Sequence, residues 1–318
     1  MPLQIPIIDV SNGYIAPSTV AKLRDACENW GFFQITGHGI EPLLRDSLFA
    51  VMREFFALPV ETKQSLLRGE NNFWGYYDRE LTKNRIDQKE IFDIDANIDN
   101  LLGHRVTGHT VPWPEQLPDL RRFVTKWLRQ MENISQNLLG AICQSLGESS
   151  DTLNPFFLRD HSSFLRLNYY PPAPARQKNQ KVPSNNGELG IHPHTDAGAL
   201  TVLLQDSVAG LQVIKDGTWH TVEPVEDSLI INIGDMVQIW SNDRFQAPEH
   251  RVLASGSVPR YSAPYFFNPS YETVCSPLVK NKEMSRYRPV PWSEFREGRA
   301  AGDYANLGEE IQIARYRL

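Results

Sequence analysis

Three side chains able to bind a metal or move a proton stand at alternate positions in one short stretch, His192-Pro193-His194-Thr195-Asp196. An apolar, β-branched run, "ALTVLLQ", follows at once. In a strand, residues two apart project from the same face, so His194 and Asp196 are expected to point together. Pro193 has no amide to donate and interrupts a ladder. The regular strand is therefore expected to begin after it, and His192 is set aside as a ligand. Two ligands on one strand need a third from elsewhere. His250, in "APEHRVLAS" at the head of a later β-type run, is the best candidate. Two histidines and one carboxylate leave three adjoining positions of an octahedral metal open, the arrangement of non-haem Fe(II) oxygenases. Structural zinc takes four closed ligands, usually with cysteine, and no cysteine lies near either segment. Alone, the His-x-Asp triplet is a weak signal; the distant histidine opening a strand strengthens it. His38, His104, His109, His161 and His220 fall in turns, loops or a hairpin and are set aside.

Beyond His250 comes a different chemistry. Arg260 and Ser262 alternate on an apolar strand and face one way. A buried guanidinium needs an anion. Its planar fork suits a carboxylate gripped by two bonds, and the serine hydroxyl adds a donor. An internal Asp or Glu would serve equally, and spacing leaves both open. The same parity sets Pro264, Phe266 and Asn268 beside Arg260, so Phe266 either lines a cavity or packs in the core. A further strand, "FLRLNYYPP", puts Arg166, Asn168 and Tyr170 on one face, with Asn168 and Tyr170 as polar handles in apolar surroundings.

These residues need a scaffold, and 318 residues can bury a large core, as one large domain or two modest ones. A net charge of -6 argues against a broad electrostatic grip on nucleic acid. No apolar run approaches a membrane span. The opening "MPLQIPIIDVSNGY" lacks the basic and apolar regions of a secretory signal. Three scattered cysteines, Cys27, Cys143 and Cys275, read as reduced thiols, so the expected compartment is the cytoplasm.

The first part of the chain reads as helical. "PSTVAKLRDACENWGFF" carries an apolar stripe ended by Gly31, "FFQITGHGI" reads as a strand and turn, and "EPLLRDSLFAVMREFFALP" and "VETKQSLLR" read as two more helices. Residues 69–117 look irregular, and Pro118 to Leu146 hold one helical period. From Phe164 to about Asn268 come short β-type runs, "MVQIWS" among them, separated by turn formers; their close spacing predicts a sandwich or barrel of jelly-roll type. The stretch 171–187 is expected to be a long surface loop near the site. The tail from Pro291 reads as a helix and a final apolar segment.

Taken together, His194-Thr195-Asp196, His250-Arg251-Val252, Arg260-Tyr261-Ser262 and "NYYPP" at 168–172 resemble the Fe(II)- and 2-oxoglutarate-dependent dioxygenases in order and approximate spacing. The likeness is to the isopenicillin N synthase-like branch, with anthocyanidin synthase, gibberellin oxidases and thymine hydroxylase. "IPIIDVS", "ENWGFFQITGHGI", "FFALPVETK" and "NIGDMVQIWSNDRFQAPEHRV" resemble it too, so the likeness covers nearly the whole chain. It implies an α+β fold with a mainly β core, a double-stranded β-helix wrapped by helices. The expected organisation is one oxygenase unit: a mainly helical part over 1–158, the jelly roll over 159–280, and a C-terminal helix and tail over 281–318. The resemblance implies that His194, Asp196 and His250 hold Fe(II). Arg260 and Ser262, helped by Tyr170, would bind the distal carboxylate of 2-oxoglutarate, and Asn168 would sit at its keto-acid end. Oxidative decarboxylation with O2 would release succinate and CO2 and drive hydroxylation, desaturation or ring closure of a small specialised metabolite, with ascorbate as a reductant. Partners are expected to be limited to that small molecule, with no nucleic acid or membrane, in a monomer or weak homodimer.

Two rival readings are an oxidase of the same branch that does not use 2-oxoglutarate and a catalytically inactive jelly-roll binding protein. Pro193 before the first ligand and "QAPE" before His250 depart from the branch's usual residues and leave the local strand geometry open. Pocket walls are expected from Phe73, Trp74 and Tyr76 in "NNFWGYYDRE", from the 100–110 loop, from Phe266, and from the C-terminal helix near Phe295.

Overall fold

The structure is a computed structural model that describes residues 4–69, 72–83, 85–97, 110–158, 160–172, 189–254, 256–278, 284–304 and 311–318, with the backbone alone over 301–304. Strand β1 (Ile7–Asp9) leads into α1 (Pro17–Asn29), β2 (Phe32–Thr36), α2 (Pro42–Phe56) and the short α3 (Val60–Gln64). Pro17 and Pro42 open their helices at a position where a missing amide hydrogen is harmless. Residues 69–117, expected to be irregular, hold four strands: β3 (Gly75–Tyr77), β4 (Leu81–Thr82), β5 (Arg85–Ile86) and β6 (Glu90–Asp95). They escape a local reading because two are only two residues long, and because β6 carries Asp93 and Asp95, residue types that strands disfavour. Helix α4 (Pro118–Ser145) buries one stripe, including Leu120, Val124, Trp127, Met131 and Leu138. It packs on α1, α2, β9 and β14.

The remaining strands are divided between two sheets. They are β7 (Phe164–Tyr170), β8 (Leu189–His194), β9 (Leu200–Gln205), β10 (Leu211–Lys215), β11 (Thr218–Thr221), β12 (Leu229–Ile233), β13 (His250–Leu253) and β14 (Arg260–Phe267). An eight-stranded sheet runs β1-β2-β12-β9-β14-β7-β6-β3, and a four-stranded sheet runs β11-β10-β13-β8. Strands β7 to β14 thus form the predicted jelly roll, whose large sheet is extended at one edge by β1 and β2 and at the other by β6 and β3. "MVQIWS" is not a strand. It lies in a short helix, α5 (Asp235–Trp240), between β12 and β13. Six apolar-rich residues fit either period, and Asp235 in the first turn favours the helix. The chain closes with β15 (Val274–Cys275), β16 (Val290–Pro291) and α6 (Trp292–Tyr304). Most of the stretch expected as a loop over 171–187 lies outside the described residues. No described helix is long and apolar enough to cross a membrane.

One wall of the jelly roll is fastened by buried charge. Arg166 of β7 binds Asp93 of β6 through Nε and Nη2 at 2.7 and 2.8 Å, and Glu80 through Nη1 at 2.8 Å. Arg68 reaches the same two acids, Asp93 at 2.7 Å and Glu80 at 3.4 Å. Lys89 bridges Glu80 at 2.6 Å to Asp87 at 3.3 Å. Burial alone pushes the Glu80 carboxyl up, but Arg166, Lys89 and Arg68 together outweigh it and hold it well below the usual carboxylate range. The network clamps the β4–β5 hairpin to β6 and β7. Removing one partner would leave buried charge uncompensated. Arg166→Met is therefore expected to cost about 3–5 kcal/mol, read as a lower urea midpoint. An unchanged midpoint would show that this wall does not depend on the pairs.

Candidate active site

His194 and His250 stand directly opposite each other where β8 runs antiparallel to β13. Behind them the register slips. Val252 pairs with Ile191, so His192 and Pro193 together face Arg251 alone, which is a β-bulge. The bulge breaks the simple alternation. Ile191 and His194, three apart, both face the cavity, while His192 turns away and sets Nδ1 3.0 Å from Asp87 Oδ1. The expectation that the strand begins after Pro193 is thus corrected: β8 contains Pro193 and ends on His194. Proline is tolerated because β8 is an edge strand and Pro193 sits in its bulge. Asp196 is not on the strand either. It lies in the loop to β9, so it meets His194 through that loop's shape and not through strand parity.

That loop hangs on the start of α5. The amides of Gly234, Asp235 and Met236 donate to the carbonyls of Ala199, Asp196 and Gly198 at 2.8, 2.8 and 3.0 Å. A Cβ on Gly234 would fall 2.3 Å from the Gly198 oxygen, so this close approach requires glycine.

The polar atoms of the triad are sorted between support and ligation. Asp196 Oδ2 accepts from Thr201 Oγ1 at 2.5 Å and from Asn232 Nδ2 at 2.7 Å. Its Oδ1 lies 3.7 Å from Nε2 of both His194 and His250. Nδ1 of His194 is 2.8 Å from the His192 carbonyl, and Nδ1 of His250 is 3.1 Å from the Pro248 carbonyl. A carbonyl can only accept, so each Nδ1 carries the proton and each Nε2 presents a lone pair. One ligand atom from each residue falls within a 4.8 Å cluster. Burial first, then the neighbouring His250, pulls the His194 imidazole down to about 3 and keeps it neutral. Burial pushes the Asp196 carboxyl up, but His250, His194, Thr201 and Asn232 outweigh it and keep it ionised. Two neutral imidazoles and an ionised carboxylate converging on one point fit a divalent metal. The sequence reading does not anticipate Thr201 or Asn232. Asn232 leaves a signal, a lone polar residue in the buried strand "LIINI".

The second predicted feature is an anion site. Arg260 is 1% exposed and pairs in register with Tyr170, as Ser262 pairs with Asn168. Its Nε donates to the Val208 carbonyl and its Nη2 to Gln205 Oε1, each at 3.1 Å. Its Nη1 is buried without a partner, and so is Asn168 Oδ1. Among the described residues no carboxylate forms an ion pair with Arg260, although its charge acts on the Asp206 carboxyl. A guanidinium buried at this depth with a free donor can take an anion. Ser262 Oγ accepts from Asn168 Nδ2 at 3.3 Å, and the Tyr170 ring lies 5.0 Å from the guanidinium carbon.

A cavity of about 110 Å³ opens beside His194 and Asp196. Phe164 and Phe266, stacked with ring centroids 4.6 Å apart, both line it, and α6 supplies Trp292, Arg296 and Arg299. Phe266 therefore takes the lining alternative. The other predicted wall residues do not line it. Phe73 is 59% exposed, Trp74 packs against Phe164, and Tyr76 is buried with its hydroxyl 2.9 Å from Glu90. Phe295 is packed into the core beside Trp292 and Tyr316. The wall turns on which face of β3 and α6 meets the cavity, which local sequence does not set. Residues 98–109, which hold nearly all of the 100–110 loop, lie outside the described residues.

Known proteins resemble this chain in sequence and in fold. Residues 161–269 match the 2OG-Fe(II) oxygenase superfamily, and residues 5–119 match the N-terminal family described as non-haem dioxygenase in morphine synthesis. The chain is 32% identical over 304 residues to jasmonate-induced oxygenase 2 of Arabidopsis thaliana, covering 92% of this chain and 78% of that one. It is 30% identical to oxoglutarate-dependent flavonoid 7-O-demethylase 1 of Ocimum basilicum, over 93% of this chain and 77% of the relative. The crystal structure of JOX2 with 2OG, Fe and JA superposes with a TM-score of 0.80 at 31% identity, over 93% of this chain and 84% of that chain. The rice dioxygenase for auxin oxidation superposes with a TM-score of 0.76 at 26% identity, over 99% of this chain and 100% of that chain.

Two outcomes follow from the site's own atoms. Asn232→Leu removes a donor from Asp196 Oδ2 and is expected to weaken Fe(II) binding about 10–100-fold in an anaerobic titration. Unchanged affinity would show that Asp196 needs no such support. In the unfolded chain a histidine titrates near ~6.5, while folded His194 titrates near about 3. Below about 6.5 the unfolded chain gains a proton that the folded protein refuses, so stability is present above that pH and is lost as pH falls toward 3. The urea midpoint of the metal-free protein should drop between about pH 7 and about pH 5, and drop less in His194→Gln. Equal drops would remove His194 as the cause.

Proposed function

This chain belongs to the 2OG-Fe(II) oxygenase superfamily, and we propose that His194, Asp196 and His250 hold its iron while Arg260 and Ser262 hold the far carboxylate of 2-oxoglutarate. One observation carries the reading: the buried Nη1 of Arg260 has no partner, in a site that already offers bare imidazole nitrogens and a supported carboxylate. Bound there, Fe(II) with 2-oxoglutarate and O2 supplies the oxidising power that takes a hydrogen atom from the substrate, with release of succinate and CO2.

The chain's own part is to bind, orient and exclude water. Thr201 and Asn232 occupy one oxygen of Asp196 and leave the other toward the histidines. The carbonyls of His192 and Pro248 fix both rings in the tautomer that ligates. Arg260 sets the register of the keto acid through a charge-assisted bond, and Tyr170 shields that bond from solvent. Asn168, with a buried acceptor still free, would turn its amide toward the keto-acid end.

The cavity supports a small substrate with a flat or apolar body, laid against Phe164, Phe266 and Trp292. It also supports an acidic group on that substrate. Arg296 lies over Phe164 at 5.4 Å, and no ion pair from it to a described acid is present. Hydroxylation, desaturation or ring closure of such a molecule is the outcome this arrangement serves. Three buried thiols support the cytoplasm as its compartment.

Turnover of substrate should release succinate in step with oxygen uptake, and His194→Ala should abolish both. Arg260→Met should raise the KM for 2-oxoglutarate about 10–100-fold, the loss of a charged hydrogen bond, while Fe(II) affinity holds. Oxygen uptake without succinate would replace this reading with that of an oxidase that does not use 2-oxoglutarate. Failure to bind Fe(II) would leave a binding protein.

A further inference from the structure

Thr195, the residue between the two ligands, offers no metal-binding atom of its own, yet it is held from outside the jelly roll. Arg299 of α6 donates through Nη2 to the Thr195 carbonyl, and the same nitrogen lies 3.4 Å from the Thr195 hydroxyl. The guanidinium is almost fully buried, and its Nη1 lies 3.0 Å from Gln312 Oε1 and 3.5 Å from Asp235 Oδ2. Asp235 closes the circuit: its carboxylate accepts from the Thr195 hydroxyl at 3.5 Å, and its amide donates to the Asp196 carbonyl at 2.8 Å.

The position of this clasp matters. Strand β8 ends on His194 and β9 begins at Leu200, so the segment between them has no ladder of its own. The backbone at Thr195 decides how His194 and Asp196 are aimed relative to each other. A charged donor on its carbonyl fixes that peptide plane more firmly than a neutral donor would. The helix that supplies the donor also lines the cavity, through Trp292 and Arg296.

We propose that Arg299 is a positioning residue for the metal ligands: by locking the Thr195 carbonyl it fixes the aim of His194 and Asp196. This rests on the reading that the triad holds Fe(II). The relation is the usual one between a ligand and the outer group that orients it, here carried through the backbone instead of a side chain. An arginine suits it because its fork reaches Thr195, Gln312 and Asp235 at once, which an ammonium does not.

The test compares wild type, Arg299→Lys, Arg299→Gln and Tyr316→Phe by anaerobic Fe(II) titration, and by the visible absorption band that forms when 2-oxoglutarate is added to the Fe(II) protein. Tyr316→Phe cuts the 3.1 Å bond to Glu294 that anchors the same helix, without touching Thr195. Arg299→Gln should bind Fe(II) about 10–100-fold more weakly, with a shifted or broadened band. Arg299→Lys should fall between it and wild type, and Tyr316→Phe should match wild type. Wild-type affinity in Arg299→Lys would overturn the proposal, and so would an equal loss in Tyr316→Phe, which would reduce Arg299 to a helix anchor. If Arg299→Gln shows no cooperative melt, the lysine variant and the control decide alone. Failure of the wild type itself to bind Fe(II) would instead strike the functional reading beneath it.

Discussion

The register of one strand pair governs the site. His194 faces His250 across the β8–β13 ladder, and the candidate metal site is built around that contact. A slip of one residue would carry the side chains to the opposite face. The bulge at His192 and Pro193 is what keeps Ile191 and His194 on the cavity side together. Asp196 then completes the group from a loop whose carbonyls rest on the amides of Gly234, Asp235 and Met236. The three candidate ligands come from three different kinds of local structure: a strand end, a loop and a strand start. Their common geometry belongs to the packing between the two sheets.

Two arginines on neighbouring strands show how burial can serve opposite ends. Arg166 and Arg260 are both buried, on β7 and β14. Arg166 is answered within the chain by Asp93 and Glu80, and it stiffens a wall. Arg260 is answered only by a carbonyl and an amide oxygen, and one of its donors is left over. An unmet buried donor costs stability, on the order of 1–3 kcal/mol or more for a charged group. The two arginines share an alternating, apolar strand context, so sequence spacing does not distinguish them. The presence of Asp93 on β6, next in the sheet to β7, does.

Short apolar runs between turn formers are enough to read β7, β9, β12 and β14, and parity along β14 sets Arg260, Ser262 and Phe266 on a shared face. Residue type and order are enough to bring His194, Asp196 and His250 into one candidate group. Parity fails where the backbone departs from a regular ladder. Pro193 belongs to a strand because a bulge absorbs it, and Asp196 lies beyond the strand's end. "MVQIWS" is helical although so short an apolar run fits both periods. Strands β4 and β5 stay hidden because each is only two residues long, and β3 and β6 because long-range pairing and ion pairs, not local propensity, make them strands. For the same reason the aromatics at 73–76 cannot be assigned a face from sequence. Asn232 is readable in principle, since a lone amide in an apolar strand must find a partner. Arg299 gives no comparable sign, because a helix arginine commits to nothing until its neighbours are known.

The N-terminal edge of the large sheet has a consequence for how the protein is made. Strand β2 finds its ladder partner in β12, where Phe32 meets Asn232, 200 residues later (232 minus 32). At about 5–20 residues per second a ribosome needs about 10–40 s to cover that interval. Throughout it, Phe33 and Ile35 are without the strand that completes their side of the sheet. The strand they wait for is also the one that carries Asn232, a support of Asp196. Closure of the N-terminal edge and support of the Asp196 carboxylate therefore both wait on the synthesis of β12.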